Sequence, residues 1–110
     1  MMEKKFVELD SVEKLEALFE RSNEKPVLLF KHSVTCPIST GVYREMAGVD
    51  AEINLVVVQT ARAISNAIAE RTGIRHESPQ AIVLKDARPV YHASHYDITA
   101  EDLGQLLGEK

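Results

Sequence analysis

The sequence predicts an α/β fold, a three-layer sandwich in which a mixed sheet of four or five strands lies between two layers of helices. Three observations carry this. Apolar spacing alternates between helical and strand-like periods along the whole chain, in the order β-α-β-α-β-α-β-β-α. Val27–Phe30, Ile53–Val58 and Ala81–Leu84 are continuous apolar runs, the pattern of strands buried on both faces. The early βαβ units need parallel strands with right-handed helical crossovers, whereas the last two strands are close enough to form an antiparallel hairpin.

The elements follow in order. Phe6-Val7-Glu8-Leu9 reads as a short edge strand. Asp10-Ser11 opens the first helix, with Asp10 and Glu13 at capping-box spacing. Val12, Leu15, Leu18 and Phe19 make its apolar stripe. Ser22-Asn23-Glu24-Lys25-Pro26 breaks the helix, and Val27–Phe30 follows as a strand. After the polar stretch His32–Ser39, Ile38, Val42 and Met46 sit four apart on a second helix. Ile53–Val58 is the next strand. Ile64, Ala67 and Ile68 mark a third helix that Gly73 is placed to end. Ser78-Pro79 introduces the strand Ala81–Leu84, since proline suits a strand's first residue. Lys85-Asp86-Ala87-Arg88-Pro89 is the expected hairpin turn into Val90-Tyr91-His92. Thr99 caps a last helix, with Asp102 at the capping-box position and Leu103, Leu106 and Leu107 on its apolar face.

Composition bounds the function. The chain has 110 residues, 45% hydrophobic and 27% charged, which suits one domain spanning residues 1–110. Thirteen basic against seventeen acidic residues give a net charge of −4, which disfavours nucleic acid as a partner. No apolar run approaches the ~18 residues of a membrane span, so no membrane partner is expected. The stretch Met1–Asp10 is charged and has no signal-peptide core. The expected compartment is the reducing cytoplasm, where a lone thiol stays a thiol unless chemistry uses it. The single cysteine, Cys36, excludes an internal disulfide and a multi-cysteine zinc site.

Cys36 falls between a buried strand and the start of a helix. The first helical turn carries unpaired N–H groups and a partial positive charge, and both favour thiolate over thiol. Pro37 suits that first turn because it has no N–H to leave unpaired, and Thr35 or Ser33 is placed to cap it. Ser39 stands where a C-x-x-C motif carries its second, resolving thiol. A hydroxyl there can donate a hydrogen bond to the thiolate but cannot close a disulfide, so a mixed disulfide at Cys36 persists until an outside thiol attacks it. The alternative for Ser39 is a helix-capping or solvating role. If the fold is as drawn, Ser78-Pro79 lies beside the Cys36 loop. Its peptide bond is trans by default, with cis the minority state.

Of the four histidines, His32 lies four residues before Cys36. It is read either as an imidazolium or proton carrier serving the thiolate, or as a solvent-facing strand end. His76 precedes Ser78-Pro79 and borders the site in the same sense. His92 and His95 form an H-x-x-H on a strand end and loop, where the spacing has no ligand meaning, so no metal is expected.

These residues resemble a known family. The element order, the cysteine at a strand-to-helix turn and the proline opening the next-to-last strand are similar to the thioredoxin fold. Thr35-Cys36-Pro37-Ile38-Ser39, preceded by Lys31-His32-Ser33-Val34 and followed later by His76-Glu77-Ser78-Pro79-Gln80, resembles the monothiol bacilliredoxins of the YtxJ type. The resemblance spans nearly the whole chain. It implies a thioredoxin-like three-layer sandwich and a thiol-disulfide oxidoreductase that removes bacillithiol, a low-molecular-weight thiol, from cytoplasmic proteins. Cys36 is then the nucleophile, and Thr35, Pro37, Ser39, Ser78 and Pro79 form the site for the small thiol. Pro79 is the family's cis-proline lying against Cys36, and Ser78 offers backbone groups to an extended peptide or thiol. The implied partners are S-bacillithiolated proteins, with bacillithiol as co-substrate and bacillithiol or a partner redoxin as reductant. Bacillithiol carries carboxylates, so Lys31, Arg44 and Arg75 are candidate cations beside the two motifs.

Two other readings remain open on sequence. A thioredoxin-fold adaptor would use the Cys36–Pro79 surface for binding without redox turnover. A monothiol glutaredoxin-like protein would use glutathione, but such proteins typically carry Cys-Gly-Phe-Ser, and Pro37-Ile38 replaces that Gly-Phe pair.

Overall fold

The structure, a computed structural model, describes residues 6–108. The first half of the charged stretch Met1–Asp10, residues 1–5, lies outside the described residues, as do residues 109–110. The elements are β1 (Phe6–Glu8), α1 (Val12–Arg21), β2 (Val27–His32), α2 (Pro37–Met46), β3 (Ile53–Val57), α3 (Arg62–Thr72), β4 (Gln80–Lys85), β5 (Arg88–Ser94) and α4 (Ala100–Leu107), with a 3-10 turn at His95–Asp97. They form one mixed five-stranded sheet in the order β1-β3-β2-β4-β5. β1 and β2 run parallel to β3, while β4 runs antiparallel to β2 and β5 to β4.

All six residues of β2 are buried, as expected for the central strand of a sandwich. Alternation along it feeds two cores. Val27 and Leu29 join Leu15, Leu18 and Phe19 of α1 and Ile64 and Ile68 of α3. Leu28 and Phe30 join Val42 and Met46 of α2 and Leu103 of α4. Helices therefore cover both faces. β2 runs on through Lys31 and His32, beyond the apolar run that marks it in sequence, so two polar residues enter the interior just before Cys36.

Helix ends agree in part. Gly73 closes α3 in a left-handed conformation, φ 74°, that suits a residue without Cβ. Thr99 Oγ1 accepts the Asp102 amide at the start of α4. At α1 the cap is Ser11, whose Oγ accepts the Lys14 amide, and not Asp10, which lies one residue outside and pairs with Lys14. Val12 stays 46% exposed, because at the first helical position the side chain leans past the helix end.

The hairpin is tighter than the sequence suggests. Only Asp86 and Ala87 form the turn, with φ of 56° and 64°, and Arg88 and Pro89 already belong to β5. The ladder slips after Val83–Tyr91, so that Leu84 faces Pro89; this irregularity on an edge strand accommodates the proline. The turn is held from across the molecule by Ser22, the C-cap of α1. Its carbonyl accepts Asp86 N–H, and its Oγ accepts Ala87 N–H while donating to Phe19 O. No helix among the described residues is long and apolar enough to cross a membrane.

Candidate active site

Cys36 is the N-cap of α2, with extended backbone at φ −103° and ψ 118°. Pro37 takes the first helical position, as expected. The cap side chain makes no capping bond, so the half-buried, unpaired thiol sits at the open end of the helix. Its backbone is tied down on both sides. The Cys36 carbonyl accepts Thr40 N–H at 3.0 Å, and the Cys36 N–H reaches Ser33 O at 3.4 Å. Neither Thr35 nor Ser33 caps α2. Their hydroxyls lie 3.3 Å apart, and both accept from Gln59 Nε2, Ser33 at 2.8 Å and Thr35 at 3.3 Å. Gln59 Oε1 in turn accepts Val34 N–H at 3.2 Å. One side chain following β3 thus grips the three residues that precede Cys36.

Ser39 is fully buried, 0% exposed. Its Oγ accepts Ser33 N–H at 3.0 Å and lies 2.8 Å from His32 Nδ1. The hydroxyl therefore serves the turn beneath the thiol. His32 does not face solvent either. Its ring packs at a tilt against Tyr43, centroids 4.8 Å apart, and is stacked with Phe30 at 6.0 Å. Burial lowers its pKa, which favours neutral imidazole over the imidazolium considered from sequence.

Pro79 is buried directly before β4, and the Ser78–Pro79 peptide bond is cis. Lys31 faces Gln80 in the β2–β4 ladder, so Pro79 falls level with His32, at the end of β2 where the Cys36 loop begins. Pro79 O accepts His95 N–H at 3.0 Å. His95 holds a left-handed φ of 56° and leads into Tyr96, which is 73% exposed. Three segments thus converge at the carboxyl end of β2: Ser33–Cys36, Ser78–Pro79 and His95–Tyr96.

The candidate cations are not equivalent. Arg44 and Arg75 are exposed. Lys31 is enclosed in the interior, with Nζ bonded to Ser65 O and His76 Nδ1, and so cannot meet a bound carboxylate. Among the described residues, no three His, Cys, Asp or Glu side chains are grouped to hold a metal ion. Gln59 escapes a sequence reading, because a lone glutamine after a strand has no local pattern.

The sequence profile of the monothiol bacilliredoxin BrxC family matches residues 7–103. The chain belongs to the monothiol bacilliredoxin family. The bacilliredoxin also resembles the solved structure of a candidate oxidoreductase with a thioredoxin fold, with 33% identity, 93% of each chain covered and a TM-score of 0.84. The thioredoxin of Trypanosoma brucei brucei is 16% identical over 98% of this chain and 94% of its own, with a TM-score of 0.74. A thioredoxin variant from Halobacterium salinarum is 16% identical over 94% and 88%, with a TM-score of 0.71. The last two speak for the fold alone. Family and fold together make this bacilliredoxin a thiol-redox protein of the thioredoxin-like class.

Proposed function

We propose that this bacilliredoxin removes bacillithiol from S-bacillithiolated cytoplasmic proteins by monothiol exchange at Cys36, with residues 1–110 acting as one thioredoxin-like domain. The observation that carries the reading is a free, half-buried thiol at the N-cap of α2 with a buried serine, Ser39, three residues on. The absence of a second cysteine leaves no internal route out of a mixed disulfide.

The chemistry balances in two steps. The Cys36 thiolate attacks the bacillithiol sulfur of the substrate's mixed disulfide. A Cys36–bacillithiol S–S bond forms, the substrate's S–S bond breaks, and the electron pair leaves on the substrate thiolate, which takes a proton from solvent. A second bacillithiol, as thiolate, or the thiolate of a partner redoxin then attacks the bacillithiol sulfur held on Cys36. The incoming thiol and the departing bacillithiol leave joined as a disulfide, and Cys36 is a thiolate again. No metal takes part.

Ser78 offers its backbone groups to an extended substrate, and Pro79 lies beside the start of the Cys36 loop. Thr35 and Pro37 flank the thiol and are exposed to the incoming small thiol. Ser39, enclosed beneath them, contributes to the same site by fixing its turn. The exposed Arg44 and Arg75 remain the cations available to carboxylates of the small thiol.

The test is release of free protein thiol from a bacillithiol-modified protein, with bacillithiol as reductant. The wild type should release it catalytically and Cys36→Ser should release none. Release at the spontaneous rate by both would leave binding without turnover as the function of this surface, and faster release from a glutathione-modified protein would name glutathione as the small thiol.

A further inference from the structure

The geometry points to Lys31 as a positioning residue, whose buried ammonium joins β2 to His76 and so fixes the segment His76–Pro79 against which substrate lies. The inference rests on the thiol-exchange reading and deepens it.

A fully buried lysine is rare, because an ammonium leaves its hydration behind at large cost. Lys31 is 0% exposed. Its Nζ donates to Ser65 O on α3 at 3.1 Å and to His76 Nδ1 at 3.2 Å. Ser65 Oγ lies 3.1 Å from the same ring nitrogen. An ammonium has only N–H to offer, so Nδ1 is the acceptor and the ring proton of His76 sits on Nε2. Burial, then the charges of Lys31 and Arg62, lower the pKa of His76, with Glu77 opposing them. The imidazole is thereby favoured in the neutral form that can accept from Lys31.

Gln80 supplies a second strut. It faces Lys31 directly across the β2–β4 ladder, which puts both side chains on one face of the sheet. It too is buried, and its Nε2 donates to Arg75 O at 3.1 Å. Two neighbouring buried polar side chains therefore hold the loop between α3 and β4 at successive residues, Arg75 and His76. That loop ends in Ser78–Pro79, level with the end of β2. A hydrophobic residue at position 31 would satisfy the core without desolvating a charge, but it would give up the bond to the loop.

The test compares wild type with His76→Ala, His76→Asn and Lys31→Met. Bacillithiol transfer from a modified protein is measured beside two readouts that need no transfer: alkylation of Cys36 by iodoacetamide, and amide exchange at Glu77 and Ser78. His76→Ala and Lys31→Met should raise KM for the protein disulfide about tenfold by misplacing the segment. Cys36 alkylation should stay within about twofold, because that reagent does not use the segment, and amide exchange at Glu77 and Ser78 should quicken. His76→Asn, whose Oδ1 stands in for Nδ1 as acceptor, should restore both KM and protection. Wild-type KM and protection in His76→Ala would overturn the proposal. So would equal impairment of the Asn and Ala variants, which would mean that the imidazole itself acts. If Lys31→Met does not fold, the two His76 variants decide alone. If the wild type transfers nothing, the exchange reading fails, and amide exchange still decides whether Lys31 holds the loop.

Discussion

Ser39 Oγ lies 2.8 Å from His32 Nδ1 and accepts the Ser33 amide at 3.0 Å. A hydroxyl in the first turn of α2 thus fastens the last residue of β2 and the first residue of the loop that delivers Cys36. Ser39→Ala would leave the buried Ser33 N–H and the His32 nitrogen short of a partner. The expected cost is about 1–3 kcal/mol of stability in urea unfolding. A loss under about 0.5 kcal/mol would mean that other groups fill the gap, and the hydroxyl would not then be the fastening.

Gln59 reaches Ser33, Val34 and Thr35 but is itself exposed. Gln59→Ala should therefore leave global stability within about 1 kcal/mol. It should, however, speed amide exchange at Val34 and slow transfer to Cys36 severalfold by loosening the loop. Unchanged exchange at Val34 would show that the loop holds its shape without Gln59.

Stability should depend on pH through Lys31. Burial pushes its pKa from 10.5 to about 8. Below pH 8 the lysine is protonated in both folded and unfolded chains, and the desolvation penalty is constant. Between about pH 8 and 10.5 the unfolded chain holds the proton more tightly, so stability rises with pH and the penalty is relieved. Relative to Lys31→Met, the wild type should therefore gain stability as pH passes from 8 to 10.5. Parallel stability curves for the two proteins across that window would contradict the enclosed ammonium.

The β4–β5 turn offers a test remote from the site. Ala87 has φ 64°, a left-handed conformation that costs a non-glycine residue about 1–2 kcal/mol. Glycine removes that cost and adds back part of it as backbone entropy. Ala87→Gly should stabilise by about 0.5–1 kcal/mol in chemical denaturation and leave transfer unchanged. Destabilisation would mean that the turn is not left-handed in solution.

Much of the fold is legible because its signals are local. Apolar runs mark β2, β3 and β4, and Gly73 and Thr99 mark helix ends within a few residues. Ambiguity arises where neighbours compete, as with Asp10 and Ser11, both good caps. The Asp86-Ala87 turn is hidden because alanine is not a turn residue, and Pro89 suggests a longer loop than the ladder allows. The left-handed His95 has no sequence signature either. At the site, Cys36, Pro37 and Ser78-Pro79 are legible by residue type and position. Lys31 and Gln59 are not, because their partners lie far along the chain: 45 residues separate Lys31 from His76, and 26 separate Gln59 from Ser33. Only the β2–β4 and β2–β3 registers bring those residues together.

The most direct measurement is intact-mass spectrometry of the reduced protein after mixing with a bacillithiol-modified protein, and in parallel with a glutathione-modified one. A single bacillithiol adduct is expected on the wild type, located at Cys36 by peptide mapping, formed faster than the glutathione adduct and absent from Cys36→Ser. No adduct from either donor, with the modified proteins left intact, would contradict monothiol exchange at Cys36.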